Sequence, residues 1–233
     1  MKKHSFDWNG FYRNLVVSLW IACLLFLIIS GNINLFIKRS YLFLPVLGTL
    51  IMGLILIARL TKKKGERKEN PWIFIILVIP LVFAVGVRPG NLGEFAASRK
   101  GLVTSGVAMN EKSRDKLIRN LEEARSYQHV NLKEILSLKE KNVLNGLKLK
   151  TEGLVMEKKN DVAKHYYLVR FLMNCCAADA LPLAVEIKNS DDFATSAGHW
   201  VEIWGILHSG PEGFFIEPEK ILPIPEPQDP YLF

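Results

Sequence analysis

Three stretches decide how this chain is read: NLVVSLWIACLLFLII at residues 14–29, YLFLPVLGTLIMGLILIARL at 41–60 and WIFIILVIPLVFAVGV at 72–87. Each approaches the ~17–25 residues with which a helix crosses ~30 Å of hydrocarbon. In such a helix every backbone polar group is satisfied within the segment. Residues 88–233 hold no comparable run. The pattern predicts a membrane α-helical anchor of three transmembrane helices over residues 1–87, carrying a soluble portion. No small-x-small cleavage pattern follows Ile29, and apolar character resumes at Ile33–Ile37. The first run therefore reads as a retained anchor rather than a signal peptide.

Charge sets the expected orientation. The chain carries 30 Lys+Arg against 23 Asp+Glu. Residues 1–87 hold 11 basic and 3 acidic side chains, whereas residues 88–233 hold 19 and 20. The basicity thus belongs to the anchor. A nucleic-acid partner is not expected, because neutralising phosphates needs a concentrated basic face that the soluble part lacks. Lys2, Lys3 and Arg13 precede the first run; Arg59, Lys62, Lys63, Lys64, Arg67 and Lys68 lie between the second and third. Only Lys38 and Arg39 separate the first two. Basic short loops stay cytoplasmic, which predicts a multi-pass cell-membrane protein with its N-terminus inside and residues 88–233 outside. No run has a charge in its interior, so nothing resembles an ion path or proton relay. Pro45, Gly48 and Gly53 mark a kink or a close helix contact in the second run. That contact is either with the other two helices or with a polytopic partner.

Residues 88–145 read as a connector and a helical segment. Leu117, Ile118, Leu121, Ala124 and Tyr127 recur at helical steps, and Asn131 with Glu134 has the form of a capping box opening a second helix. After the Asn145-Gly146 turn the period becomes two. Leu147–Met156 predicts a strand bent at Gly153; His165–Cys176, Leu183–Ile187 and His199–Leu207 predict three more. Gly213–Ile216 with Lys220–Ile224 predicts a fifth, broken at Pro218. Five strands without βαβ alternation predict that residues 146–233 form a small OB-like β-barrel, making the soluble part α+β. An open sandwich is the other arrangement these strands allow. Five prolines between Pro218 and Pro230 predict an extended tail.

The densest polar constellation is RFLMNCCAADA, residues 170–180. Cys175 and Cys176 admit three readings. Neighbouring Cα atoms sit ~3.8 Å apart, short of the ~4.4–6.8 Å usual for a disulfide. A metal needs both thiols on one side, awkward within a strand but easier at its end, where Asp179, His165, His199 or His208 could contribute. Otherwise the pair are small buried hydrophobes, one of them a potentially reactive thiol. Arg170, in step with Leu168 and Leu172, is expected to be buried and paired with Asp179, which organises a fold or binds an anion. Trp200 and Trp204 share a face and read first as barrel core, second as an aromatic platform. No catalytic triad, paired-carboxylate motif, HExxH or phosphate loop is present, so the chain does not read as an enzyme. No cofactor is expected apart from a possible metal at Cys175, Cys176 and Asp179.

Several of these residues together resemble the YcgQ-like family of uncharacterised membrane proteins, described as permease subunits. The resemblance runs through the three apolar segments and Arg88-Pro89, with Leu92, Lys100 and Gly101. It continues through Gly153 and Val155, then Arg170-Phe171 to Cys176 with Ala178, Asp179 and Ala180. Trp200-Val201 with Gly205, and Pro227, Pro230 and Tyr231, complete it. It implies an extracytoplasmic OB-like domain and a polytopic membrane permease as partner, and it singles out Cys176. Some relatives carry a His-rich stretch between helices two and three. Thr61–Asn70 here is basic and contains no His, which weakens any metal-transport role carried over from them. Two functions follow as expectations: an accessory permease subunit whose barrel contacts partner or solute, or a stand-alone cell-surface thiol or metal-binding module.

Overall fold

A computed structural model describes residues 8–61, 72–86, 100–122, 126–138, 145–157, 165–188, 197–210, 213–227 and 229–233. The chain divides into two compact units. One is Met1–Leu92 together with Cys175–Ala178; the other is Gly93–Asn174 together with Asp179–Phe233.

The first unit holds α1 (Trp8–Ile29), α2 (Phe43–Thr61) and α3 (Trp72–Gly86). Uninterrupted apolar sequence gives α1 and α2 22 and 19 residues. At ~1.5 Å per residue these lengths approach or exceed the hydrocarbon thickness. Among the described residues these two helices, over Gly10–Ile29 and Arg39–Thr61, are long and apolar enough to cross a membrane. The third run forms a helix of 15 residues containing Pro80, short of a full crossing by length alone. It packs on α1, where the Trp20 indole N–H donates to the Leu77 carbonyl at 3.0 Å. Tyr12, Leu15 and Val16 of α1 line one apolar groove with Val78, Ile79, Val82 and Phe83 of α3. Two short 3₁₀ turns, Asn32–Leu35 and Arg39–Tyr41, link α1 to α2. Cys175–Ala178 lies against that link: the Lys38 N–H donates to the Cys175 carbonyl at 3.1 Å, and the Ala177 N–H to the Phe36 carbonyl at 2.9 Å.

The second unit begins with α4 (Glu111–Glu122), a two-residue strand β1 (Gln128–His129) and α5 (Leu132–Ser137). The helical pattern therefore stops before Tyr127, which lies in irregular chain leading into β1. Ala124 lies outside the described residues. The capping box is formed: Asn131 Oδ1 accepts from the Glu134 N–H at 2.9 Å, and Glu134 Oε2 accepts from the Asn131 N–H at 2.8 Å. Most of the predicted connector, and the turns at 158–164 and 189–196, also lie outside the described residues.

Five strands close on themselves: β2 (Leu147–Glu157), β3 (Tyr166–Leu172), β4 (Leu181–Ile187), β5 (Trp200–Gly210) and β6 (Gly213–Pro223). β2 pairs antiparallel with both β3 and β5, β3 with β4, and β5 with β6; a parallel β4–β6 pair completes the ring. The barrel is closed, which replaces the open-sandwich alternative. β2 serves two neighbours by bending at Gly153. A Cβ there would lie 2.8 Å from Leu168 Cγ and 2.9 Å from the Val169 carbonyl oxygen, so only glycine lets the strands approach. Gly205 plays the matching part opposite Pro218. The register shifts between Trp204 and Gly205, and a Cβ on Gly205 would collide with the Glu217 carbonyl oxygen. That bulge lets β6 run unbroken through Pro218, where sequence predicted an interruption. Leu149, Val155, Leu168, Leu183, Ile203, Leu207 and Ile216 fill the interior, and Leu132, Ile135 and Leu136 of α5 join the same core. β7 (Tyr231–Leu232) ends the tail and pairs parallel with β3 at Phe171 and Leu172.

Candidate functional site

Two polar groupings emerge where sequence placed one. β3 ends at Leu172, four residues before the predicted end, so Cys175 and Cys176 leave the pleat. They sit in a turn that runs into a 3₁₀ segment, Ala177–Asp179. Off the strand the two side chains no longer point to opposite faces. Their sulfurs are 3.8 Å apart, with the Cys175 thiol donating to Cys176 Sγ, and are not joined by a disulfide. The two thiols and an Asp179 carboxylate oxygen all lie within 4.8 Å of one another. Asp179 Oδ1 also accepts from the Asn174 N–H at 3.1 Å, which orients the carboxylate. All these donors come from one uninterrupted stretch, Asn174–Asp179, so the geometry is local. Cys175 is exposed; Cys176 and Asp179 are half-buried.

Arg170 is buried but does not pair with Asp179. Its Nη1 donates to Glu152 Oε1 at 2.8 Å and its Nη2 to the Asp229 carbonyl at 3.3 Å. The guanidinium also lies 5.2 Å from the centre of the Trp200 ring. The reason is topological. Where β2 bends away from β3, Glu152 is brought to the far end of β3, while Asp179 lies beyond the turn and is held by Asn174. Burial lowers the Arg170 pKa, and the Glu152 carboxylate opposes that shift. Sequence could have flagged Glu152 as the acid that breaks the Lys148, Lys150 alternation on the first strand.

Trp200 and Trp204 are not interior. Val201, Ile203 and Leu207 occupy the core-facing positions of β5, leaving the tryptophans on the outer face. Trp200 is covered there beside Arg170. Trp204 is half-buried in a ladder of paired groups: its indole N–H donates to Glu202 at 2.8 Å, Lys150 pairs with Glu202 at 2.8 Å, and Tyr127 meets its ring edge-on at 5.1 Å. Tyr127 also donates to Glu219. The Lys150 and Trp204 hydrogen bonds hold the Glu202 carboxyl below the ordinary carboxylate range. The histidines are engaged elsewhere: His165 meets Glu186 at 2.9 Å and His208 meets Glu217 at 3.2 Å. Neither these nor His199 joins Cys175, Cys176 and Asp179 in the cluster of candidate ligands.

The class defined by these features is a pair of apolar N-terminal helices followed by a domain with a closed five-stranded barrel and a dithiol turn. Residues 119–233 match the DUF1980 C-terminal domain, an uncharacterised family. The match spans the last four residues of α4, the whole barrel, the Arg170 knot and the dithiol turn. No curated protein matches the chain.

Proposed function

We propose that this chain is a membrane-anchored accessory subunit of a polytopic permease, with an OB-like domain outside the cytoplasm that contacts the partner or its solute. The observation that carries this reading lies in α2. A Cβ built on Gly48 or Gly53 meets nothing within 4 Å, so these small residues are not spent on packing against α1 or α3. The surrounding Leu47, Leu50, Ile51 and Leu54 are exposed. Small residues in a lipid-facing helix let another helix approach closely. The side of α2 that carries Leu47, Leu50, Ile51 and Leu54 therefore suits a further membrane helix.

Connectivity supports the third crossing. If α1 and α2 both cross, the Phe36–Lys38 link and the basic loop after Thr61 face opposite sides. A third crossing through α3 would bring Cys175–Ala178 to the same side as the link, where its hydrogen bonds to Lys38 and Phe36 are made. The basic loops then favour the cytoplasm for the N-terminus and the exterior for the barrel. The strand order, with its parallel β4–β6 closure, supports the OB-like reading.

A photo-crosslinking amino acid at Gly48 in native membranes is expected to capture a polytopic protein, while one at Phe11 captures none. Crosslinks to lipid alone at Gly48, together with no partner on mild-detergent purification, would dispose of the subunit reading.

A further inference from the structure

We propose that Cys175 and Cys176 form a redox modification site, closed to a disulfide by exchange with a small-molecule disulfide, and that closure frees the segment from the α1–α2 link. This site needs no permease partner. Every contact involved lies in one compact unit, which holds both cysteines and the link. Cys175 is exposed and Cys176 half-buried, which gives the two thiols different parts. Cys175 meets the reagent first. Its sulfur bonds to one sulfur of the small disulfide, and the other half leaves as a thiol carrying the proton that Cys175 has lost. Cys176 then attacks the Cys175 sulfur, 3.8 Å away, and the second half of the reagent leaves as a thiol. Two electrons and two protons pass from the protein to the reagent. Neighbouring Cα atoms lie only ~3.8 Å apart, below the ~4.4–6.8 Å of ordinary disulfides, so the closed form is strained. Strained or exposed disulfides are the readily reduced ones, which makes this closure reversible rather than structural.

Closure also acts on the backbone. The sulfurs must approach from 3.8 Å to the ~2.05 Å of a bond, and the ring they complete contains the Cys175–Cys176 peptide. The carbonyl of that peptide accepts the Lys38 N–H at 3.1 Å. Beside it Ile37 and Cys176 form an antiparallel bridge, and the Ala177 N–H donates to the Phe36 carbonyl at 2.9 Å. Drawing the sulfurs together turns the Cys175 carbonyl, so ring closure and the bond to Lys38 compete.

The test uses reduced full-length protein in detergent, with oxidised glutathione as probe. After an acid quench, mass spectrometry of the segment between Arg170 and Lys188 is expected to show the loss of two hydrogens with no glutathione attached. Reduced glutathione is expected to restore the dithiol. Hydrogen exchange at the Lys38 amide is expected to run at least tenfold faster in the oxidised form than in the reduced one. In Cys176→Ser the glutathione stays on Cys175 and no ring forms; in Cys175→Ser no ring forms either. Circular dichroism on both reduced variants separates lost chemistry from lost folding. Glutathione that remains on Cys175 in the wild type, or no reaction at all, overturns the site. A ring that forms while Lys38 exchange stays unchanged overturns its coupling to the link.

Discussion

Arg170 and Glu152 illustrate how much one buried pair can demand. The Arg170 side chain is 7% exposed and Glu152 35%, so removing the acid strands a guanidinium that water barely reaches. Glu152→Ala is expected to destabilise the fold by roughly 2–3 kcal/mol, below the ~3–5 kcal/mol of a fully buried pair because Glu152 keeps partial solvent access. Arg170→Met is expected to cost less, since it leaves an acid that can turn to water; thermal unfolding of the two variants gives the order. Glu202 offers a pH test. Its native pKa is depressed, chiefly by the Lys150 hydrogen bond and then by that of the Trp204 indole. The stabilisation is therefore present above the unfolded carboxylate value of ~4.3 and is lost as pH falls through the native value. Glu202→Gln should lower the unfolding temperature at neutral pH, and the gap to wild type should close below pH ~4; a gap that does not change with pH would assign the effect to packing instead.

At the scale of elements, glycine placement decides the barrel. Gly153→Ala and Gly205→Ala push a methyl into backbone, and each is expected to destabilise by about 1–3 kcal/mol. Gly146→Ala tests a different cause, because Gly146 has φ +89° with open space around it; its smaller loss would come from the left-handed backbone alone. Chemical denaturation of the three variants separates collision from conformational strain.

The strands themselves were legible because alternation survives in Leu147–Glu157 and His199–Leu207. Their ends were not. Apolar Met173, Cys175 and Cys176 extend the β3 pattern past Leu172, although the chain turns there to form the dithiol turn. The two faces of β5 were misassigned for a related reason: Trp200 and Trp204 outweigh Val201 and Ile203 in bulk, yet the smaller β-branched residues fit the barrel interior. Asp179 was legible as a neighbour of the thiols. Glu152, eighteen residues from Arg170, needed the bend at Gly153 to be found.

For the whole molecule, the number of crossings is the quantity to measure. A third in-to-out crossing runs α3 parallel to α1. The contacts described above have the opposite sense: Trp20 meets Leu77, while Tyr12 and Leu15 share a groove with Val82 and Phe83. If α3 crosses as proposed, Cys175 will react with a membrane-impermeant maleimide added to intact cells. A Cys175 protected from that reagent would put the barrel in the cytosol. That result would remove the extracytoplasmic partner with it.

The pairing of β7 with β3 has a consequence for the exposed margin of the barrel. Where β2 turns away, β3 would otherwise present bare backbone donors and acceptors; Tyr231 and Leu232 cover them, and the Met173 N–H is taken by the Leu232 carbonyl at 2.9 Å. A bare strand margin is what a strand of another copy could add to. The end of the proline-rich tail thereby takes up the stretch of β3 edge that β2 leaves open.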